Sequence, residues 1–264
     1  MIPRLSLDRV RSALFLPASN PRAVAKARIL PCDLVILDLE DAVAPEDKDA
    51  ARQAAVAAMQ SDWGDRVVAV RINPPGSPAG EADLAALDGV RLDLLVLPKV
   101  EGPPPALGRP LLAMIETPAG LYAAREIAEM ADVAGLIVGA NDLAAALRLP
   151  PGAGRAELAL PLQMVLLAAR AAGRIALDGV YNRLDDAAGF EADAAAAVQA
   201  GFDGKTLIHP AQVEPCNRLF APSADEAEEA RALVQAAGAG AIRFRGRMVE
   251  AMHVATARRL LARL

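Results

Sequence analysis

The sequence predicts a TIM (β/α)8 barrel with a C-terminal helical extension. Eight short apolar runs recur between residues 13 and 210. Most are separated by Ala-rich stretches of helical character, and a β-α alternation of this kind implies a parallel sheet. Several runs also end in charged or amide residues, at the rim where such barrels build their active sites.

The runs are ALFLP (13–17), LVILDLE (34–40), VVAVRIN (67–73), LLVLPKV (94–100), LLAMIET (111–117), GLIVGAN (135–141), IALDGVY (175–181) and GKTLIHP (204–210). Helical stretches follow four of them: PRAVAKARIL after the first, EDKDAARQAAVAAMQ after the second, AGLYAAREIAEM after the fifth and ELALPLQMVLLAARAAG after the sixth. The crossover EGPPPALGRP, between the fourth and fifth runs, has too many prolines for a regular helix. A short or 3₁₀ crossover is expected there. NPPGSPAGE (73–81) and RLPPGAGRAE (148–157) follow the third and sixth runs. Each is either a substrate-enclosing loop or a plain surface connection.

Beyond the eighth run, Ser223 followed by Glu226 forms a capping-box pattern that opens a helix. A Gly238-Ala239-Gly240 hinge then leads into IRFRGRMVEAMHVATARRLLARL, which is expected to be a helical appendage. Residues 1–222 are assigned to a catalytic barrel and 223–264 to a helical lid segment able to fold over a barrel mouth.

Composition narrows the chemistry. A 264-residue chain with 54% hydrophobic and 23% charged residues suits one large α/β domain with a small appendage. The net charge is −5 and no five like charges are consecutive, so no nucleic acid or polybasic membrane surface is expected, and the partners are small molecules. No apolar run approaches ~20 residues and MIPRLSLDRVRS lacks a long apolar core, so a cytoplasmic protein is expected. Cys32 and Cys216 are far apart in sequence, and His209 and His253 are the only further soft ligands. That argues against zinc and for two reduced, buried thiols. Scarce histidines and the lack of a GxSxG turn argue against a Ser–His–Asp enzyme. Carboxylates, Arg and Lys remain.

These groups concentrate at the run ends: Asp38, Glu40 and Asp41 on the second, Arg71 and Asn73 on the third, Lys99 and Glu101 on the fourth, Glu116 on the fifth, Asp142 after the sixth. Neighbouring parallel strands lie ~4.8 Å apart. Glu116 and Asp142 could therefore share one divalent metal completed by water and substrate. Glu116 also opens a helix, where an acid is favourable without any metal. An arginine after VVAV is costly to bury unpaired, so Arg71 is expected to meet a carboxylate of the second strand and an anionic substrate. His209 either contacts a ligand at the eighth strand or is a satisfied rim histidine.

The same residues fall in motifs that resemble the family of citrate lyase beta subunits and malyl-CoA and citramalyl-CoA lyases. RSALFLPASNP, DLVILDLEDAVAPEDKDAAR, VRIN, LPKVE, MIETPAG, GANDL, LDGVYN, GFDGKTLIHPAQ and GRMVE occur in family order. The resemblance implies a Mg²⁺-dependent TIM barrel that cleaves or forms a 3-hydroxyacyl-CoA of the malyl-CoA or citramalyl-CoA type from an acyl-CoA and an α-keto acid. It also implies roles by position: Glu116 and Asp142 as metal ligands, Arg71 on the substrate carbonyl, and Glu40 and Asp41 supporting the arginine and metal water. Phe15 and Lys26 would line the thioester nucleotide site. Glu250 of GRMVE would stand where the family delivers an acid from a neighbouring subunit, in a homo-oligomer, trimer or hexamer. Malyl-CoA thioester hydrolysis and the citryl-thioester step of a citrate lyase complex are the alternatives.

Overall fold

The computed structural model describes residues 7–238 and 240–264. Residues 1–6, the start of the assigned barrel segment, and Ala239 of the expected hinge lie outside the described residues. Eight parallel strands close into a barrel: β1 Ser12–Pro17, β2 Leu34–Asp38, β3 Val67–Arg71, β4 Leu94–Leu97, β5 Leu111–Ile115, β6 Val133–Val138, β7 Ile175–Asp178 and β8 Gly204–Leu207, with β8 returning to β1. Around it lie α1 Pro21–Ala27, α2 Lys48–Met59, α3 Pro78–Ala86, α4 Pro118–Glu129, α5 Ala140–Ala146, α6 Ala159–Ala171, α7 Ala187–Ala200 and α8 Val213–Phe220. The fold is a TIM barrel.

Strand periodicity sorts the core into two layers. Ala13, Ile36, Ala69, Val96, Leu112, Ile137 and Leu177 fill the barrel interior. Their neighbours Leu14, Val35, Val70, Leu95, Ala113, Leu136 and Ala176 pack outward with the helices. Truncating any of the larger ones to Ala would cost about 2–5 kcal/mol. Continued upward, the same alternation carries Phe15, Asp38, Arg71, Met114 and Thr206 to the inner wall of the C-terminal mouth.

Several helices start by a shared device. Asn20, Ser77 and Thr117 each accept a backbone N–H from three residues on, and a proline follows each cap. The cap satisfies an orphan donor, and proline supplies helical φ where its missing N–H has no helical partner to lose.

The crossover at residues 98–110 has no regular helix, as expected, and no 3₁₀ turn either, because Pro103–Pro105 lack donors and hold the preceding residues extended. The structure departs from expectation in three places. The sixth run stops at Val138 and Ala140 begins α5, so Asp142 stands in a helical first turn instead of at a strand end. The stretch 73–81 is half loop and half helix, tied down by Asn73, whose Nδ2 donates to Leu39 O and Asp83 Oδ2. Finally, the tail is not wholly helical.

After α9 (Ala224–Ala236, with the Ser223–Glu226 capping box) comes an antiparallel hairpin, β9 Ile242–Phe244 and β10 Arg247–Val249. Its two-residue turn puts Arg245 at φ 48° and Gly246 at φ 81°, and this left-handed pair lets the strands close tightly. Helix α10 (Ala251–Ala262) then packs along α9. Arg263 Nη2 donates to Asp203 O at 2.6 Å, and Arg9 Nε donates to Ala262 O at 3.1 Å, fastening the end of α10 to its own barrel. Among the described residues no helix is long and apolar enough to cross a membrane.

Candidate active site

A cavity of about 390 Å³ opens at the C-terminal mouth, lined by Phe15, Asp38, Asp41, Arg71, Met114, Glu116, Asp142 and Thr206 among others. A larger cavity of about 510 Å³ lies at the opposite end of the barrel. There Arg109 and Arg174 donate to the carbonyls of Leu87, Val90, Ala128 and Met130, so those cations stabilise the C-terminal ends of α3 and α4. Convergent chemistry is found at the mouth.

Arg71 is its centre. Register places it directly opposite Asp38 on β2. The guanidinium grips that carboxylate with two bonds, Nε to Oδ1 at 2.7 Å and Nη2 to Oδ2 at 2.5 Å. Nη1 lies 3.0 Å from Glu40 Oε2, an ion contact without hydrogen-bond alignment, and 3.8 Å from Asp41 Oδ2. The Phe15 ring packs against the guanidinium face at 4.9 Å. Burial works against the arginine's charge, but the Asp38 hydrogen bonds and the charges of Asp38, Glu40 and Asp41 outweigh it and raise its pKa. A planar fork so held is oriented before any ligand arrives.

Glu116 and Asp142 line the same cavity. Glu116 is buried, and its Oε1 accepts the Lys99 N–H at 2.6 Å, which leaves Oε2 to bind a cation. Burial, with Glu40 and Asp142 nearby, pushes the Glu116 carboxyl up to about 7 against the opposing Lys99 and Arg71 contributions. Lys99 Nζ reaches Glu40 Oε1 at 2.5 Å, Asp41 Oδ1 at 3.6 Å and Asp142 Oδ2 at 3.6 Å. Burial disfavours the ammonium, but these carboxylates outweigh it and raise its pKa. Burial likewise raises Glu40 despite Arg71 and Lys99.

A hard divalent cation fits this donor set. Five carboxylates (Asp38, Glu40, Asp41, Glu116, Asp142) surround two cations, an excess of negative charge that a divalent ion would relieve. No cluster of three or more candidate ligands exists among the described residues. Two carboxylates with the remaining positions left to water and substrate is a magnesium-like arrangement.

The cavity thus brings together Phe15, Asp41, Arg71, Glu116 and Asp142, with Glu40 buried behind Arg71. Phe15 lines the cavity with its ring against the Arg71 guanidinium. Lys26 is exposed on α1 and does not line the cavity. His209 is also outside it: its Nδ1 accepts the Ala211 N–H as a helix cap, and Ile208 is the lining residue. Glu250 is exposed at the start of α10, outside its own chain's cavity, with its backbone N–H donated to His253 Nδ1. The carboxylate of the second strand that Arg71 was expected to meet is Asp38; which of the acids there it would be depends on strand register, which an apolar pattern does not reveal. Met114 and Thr206 were missed because nothing in their type signals a site.

Residues 11–108 and 105–210 match the HpcH/HpaI aldolase/citrate lyase family, and residues 160–264 match a C–C bond lyase family of the TIM-barrel fold. The chain belongs to the HpcH/HpaI aldolase/citrate lyase family. A (3S)-malyl-CoA thioesterase of Cereibacter sphaeroides is 39% identical over 267 residues, covering 96% of this chain and 94% of that protein. The citrate lyase beta subunit of Escherichia coli is 36% identical over 279 residues, covering 96% of this chain and 92% of its own length. Among solved structures, the CitE protein of Mycobacterium tuberculosis in complex with magnesium, acetoacetate and coenzyme A superposes with a TM-score of 0.81 at 36% identity, covering 96% of this chain and 97% of that one.

Proposed function

We propose that the protein is a Mg²⁺-dependent carbon–carbon lyase that cleaves or forms a 3-hydroxyacyl-CoA, of the malyl-CoA or citramalyl-CoA type, with an α-keto acid and an acyl-CoA as the other side of the reaction. The observation that carries this is Arg71, held by Asp38 and Glu40, in one cavity with Glu116 and Asp142. The CitE complex with magnesium, acetoacetate and coenzyme A supports the same ligand classes here.

Glu116 and Asp142 would hold the ion. Bound Mg²⁺ supplies Lewis-acid stabilisation to the oxygens of a chelated hydroxy or keto acid. Asp38 occupies two of the five N–H donors of Arg71, and the Nη groups that remain would steady the thioester oxygen as it becomes enolate-like. In cleavage the C3 hydroxyl gives up its proton to solvent, the bond between C2 and C3 breaks, its electron pair passes to the thioester enolate, and C3 becomes the keto acid carbonyl. Glu250 would return a proton to that enolate, and in synthesis would remove it. Because Glu250 lies outside its own cavity, we assign residues 223–264 as a lid that serves a neighbouring copy in a homo-oligomer, a trimer by resemblance. Lys26, on the helix after β1, is assigned to the CoA phosphates.

A second reading has its own support: the 39% identical Cereibacter sphaeroides relative is a thioesterase. There the same residues would hold malyl-CoA while water attacks the thioester. Product analysis with Mg²⁺ and a panel of malyl-, methylmalyl- and citramalyl-CoA separates the two. Acyl-CoA plus keto acid supports the lyase, whereas hydroxy acid plus free CoA replaces it with the hydrolase. Turnover unaffected by EDTA would overturn the metal in both.

A further inference from the structure

Lys99 has a left-handed backbone, φ 51°, one of three such non-glycine residues among those described. A side chain there is disfavoured, and glycine would meet the same backbone need without a clash. The loop is fixed on either side of the lysine side chain: the Lys99 N–H bonds Glu116 Oε1 at 2.6 Å and the Val100 N–H bonds Met114 O at 3.3 Å. The turn therefore explains the backbone, but not the lysine.

The ammonium explains the lysine. Its three carboxylate neighbours come from two segments, Glu40 and Asp41 after β2 and Asp142 in α5, and it lies 3.6 Å from Asp142 Oδ2. Two of these acids, Glu40 and Asp41, also face Arg71. Without the lysine, Asp142 has no cation within ion-pair distance among the described residues.

We propose that Lys99 is a positioning residue, an internal counter-cation that holds Asp142 with Glu40 and Asp41 in the metal-free protein and yields Asp142 to a divalent ion. The inference rests on the assignment of Glu116 and Asp142 as the ion's ligands. It makes two demands. The metal-free fold depends on the ammonium, and the ammonium competes with the incoming ion for Asp142.

The test uses four full-length variants, Lys99→Met, Lys99→Gly, Lys99→Arg and Glu116→Gln, with MgCl₂ titrated calorimetrically into the metal-free protein and thermal unfolding followed with and without the ion. Lys99→Met and Lys99→Gly are expected to bind Mg²⁺ on the order of tenfold more tightly, since a unit charge beside the site is removed. Both should melt several degrees lower without metal and recover most of that loss with it. Lys99→Arg, which keeps the charge, should stay near the parent. Mg²⁺ affinity unchanged or weaker in both neutral variants, with Glu116→Gln still abolishing binding, overturns the counter-cation and leaves the metal site standing. Binding unaffected in Glu116→Gln removes the site and the inference together. Should Lys99→Met fail to fold, Lys99→Gly, which relieves the backbone, carries the same comparison.

Discussion

Gly139 and Glu116 are in such close apposition that a Cβ at position 139 would stand 2.2 Å from Glu116 Oε2 and 2.4 Å from its Cβ. The residue that precedes α5 thus leaves the room in which the carboxylate of β5 lies. Gly139→Ala must displace Glu116 from that place. Mg²⁺ affinity is expected to fall by about 10–100-fold, as when a ligand's supporting contact is lost, with little change in secondary structure. Calorimetric titration and circular dichroism measure both, and an unchanged affinity would show that Glu116 binds from another position.

Glu116 also predicts a pH dependence. Its folded value of about 7 lies above the ordinary 4.5, chiefly through burial. Between those values the folded chain holds a proton that the unfolded chain has lost. The group's contribution to stability is thus complete below pH 4.5 and lost as pH rises through 7. The full loss is on the order of 3 kcal/mol. Metal-free protein should accordingly lose thermal stability from this group between pH 5 and about 8. Mg²⁺ needs the ionised carboxylate, so its binding should strengthen over the same interval and release close to one proton near pH 6. Titrations in two buffers of different ionisation enthalpy count that proton; zero release would remove Glu116 from the ligand set.

Arg71→Lys keeps the charge and loses the fork that Asp38 grips at both Nε and Nη2. The turnover number is expected to fall on the order of 10²-fold or more, as for other lost electrostatic stabilisers. Steady-state kinetics decide it. A change confined to KM would move Arg71 from transition-state stabilisation to plain binding.

All eight barrel strands were legible, yet most of the runs read from sequence overshoot at their C-terminal ends. The second reads to Glu40 where β2 stops at Asp38, and the fifth to Thr117 where β5 stops at Ile115. Apolar periodicity continues through residues that have left the ladder to face the cavity, so function blurs the boundary. The carboxylates, Arg71 and Lys99 were visible because charge after an apolar run is conspicuous. That Arg71 would meet an acid of the second strand was legible too, but not that the acid is Asp38, since that depends on register; the β9–β10 hairpin was not, because its three-residue strands fall below any periodicity signal. Lys205 escaped for the opposite reason: it follows a glycine inside a strand, where no pattern calls for a lysine.

Lys205 is 1% exposed between β8 and α7, and its Nζ meets Asp178 Oδ2 at 2.7 Å, Asp193 Oδ2 at 2.6 Å and Gly179 O at 2.6 Å. Arg155, from the loop before α6, joins the same Asp178 at 2.8 Å. Removing one member of a buried ion cluster leaves uncompensated charge, at a cost of about 3–5 kcal/mol. Lys205→Met should therefore lower the melting temperature by roughly 10 °C. Adding Asp193→Asn should restore part of the loss, because it removes one of the stranded carboxylates. A single variant that melts like the parent would show the cluster to be dispensable.

The tail carries the last prediction. Val249 and Ala257 are buried within the chain, yet Met248 and Met252 stay 71% and 65% exposed on either side of Glu250. The far end of α10 is fastened to its own barrel through Arg263 and Arg9, so Glu250 cannot leave with the whole helix unless those bonds break. An acid that serves a site while its helix stays docked must serve the site of another copy, with the two methionines covered on contact. Mixing Arg71→Lys subunits with Glu250→Ala subunits tests this, because each type lacks a different half of the proposed machinery. Hybrids should regain a fraction of parental activity through mouths that pair an intact Arg71 with an intact Glu250. Absence of recovery despite proven subunit exchange would place Glu250 outside the reaction or in its own chain, and gel filtration showing a monomer at working concentration would exclude the shared site outright.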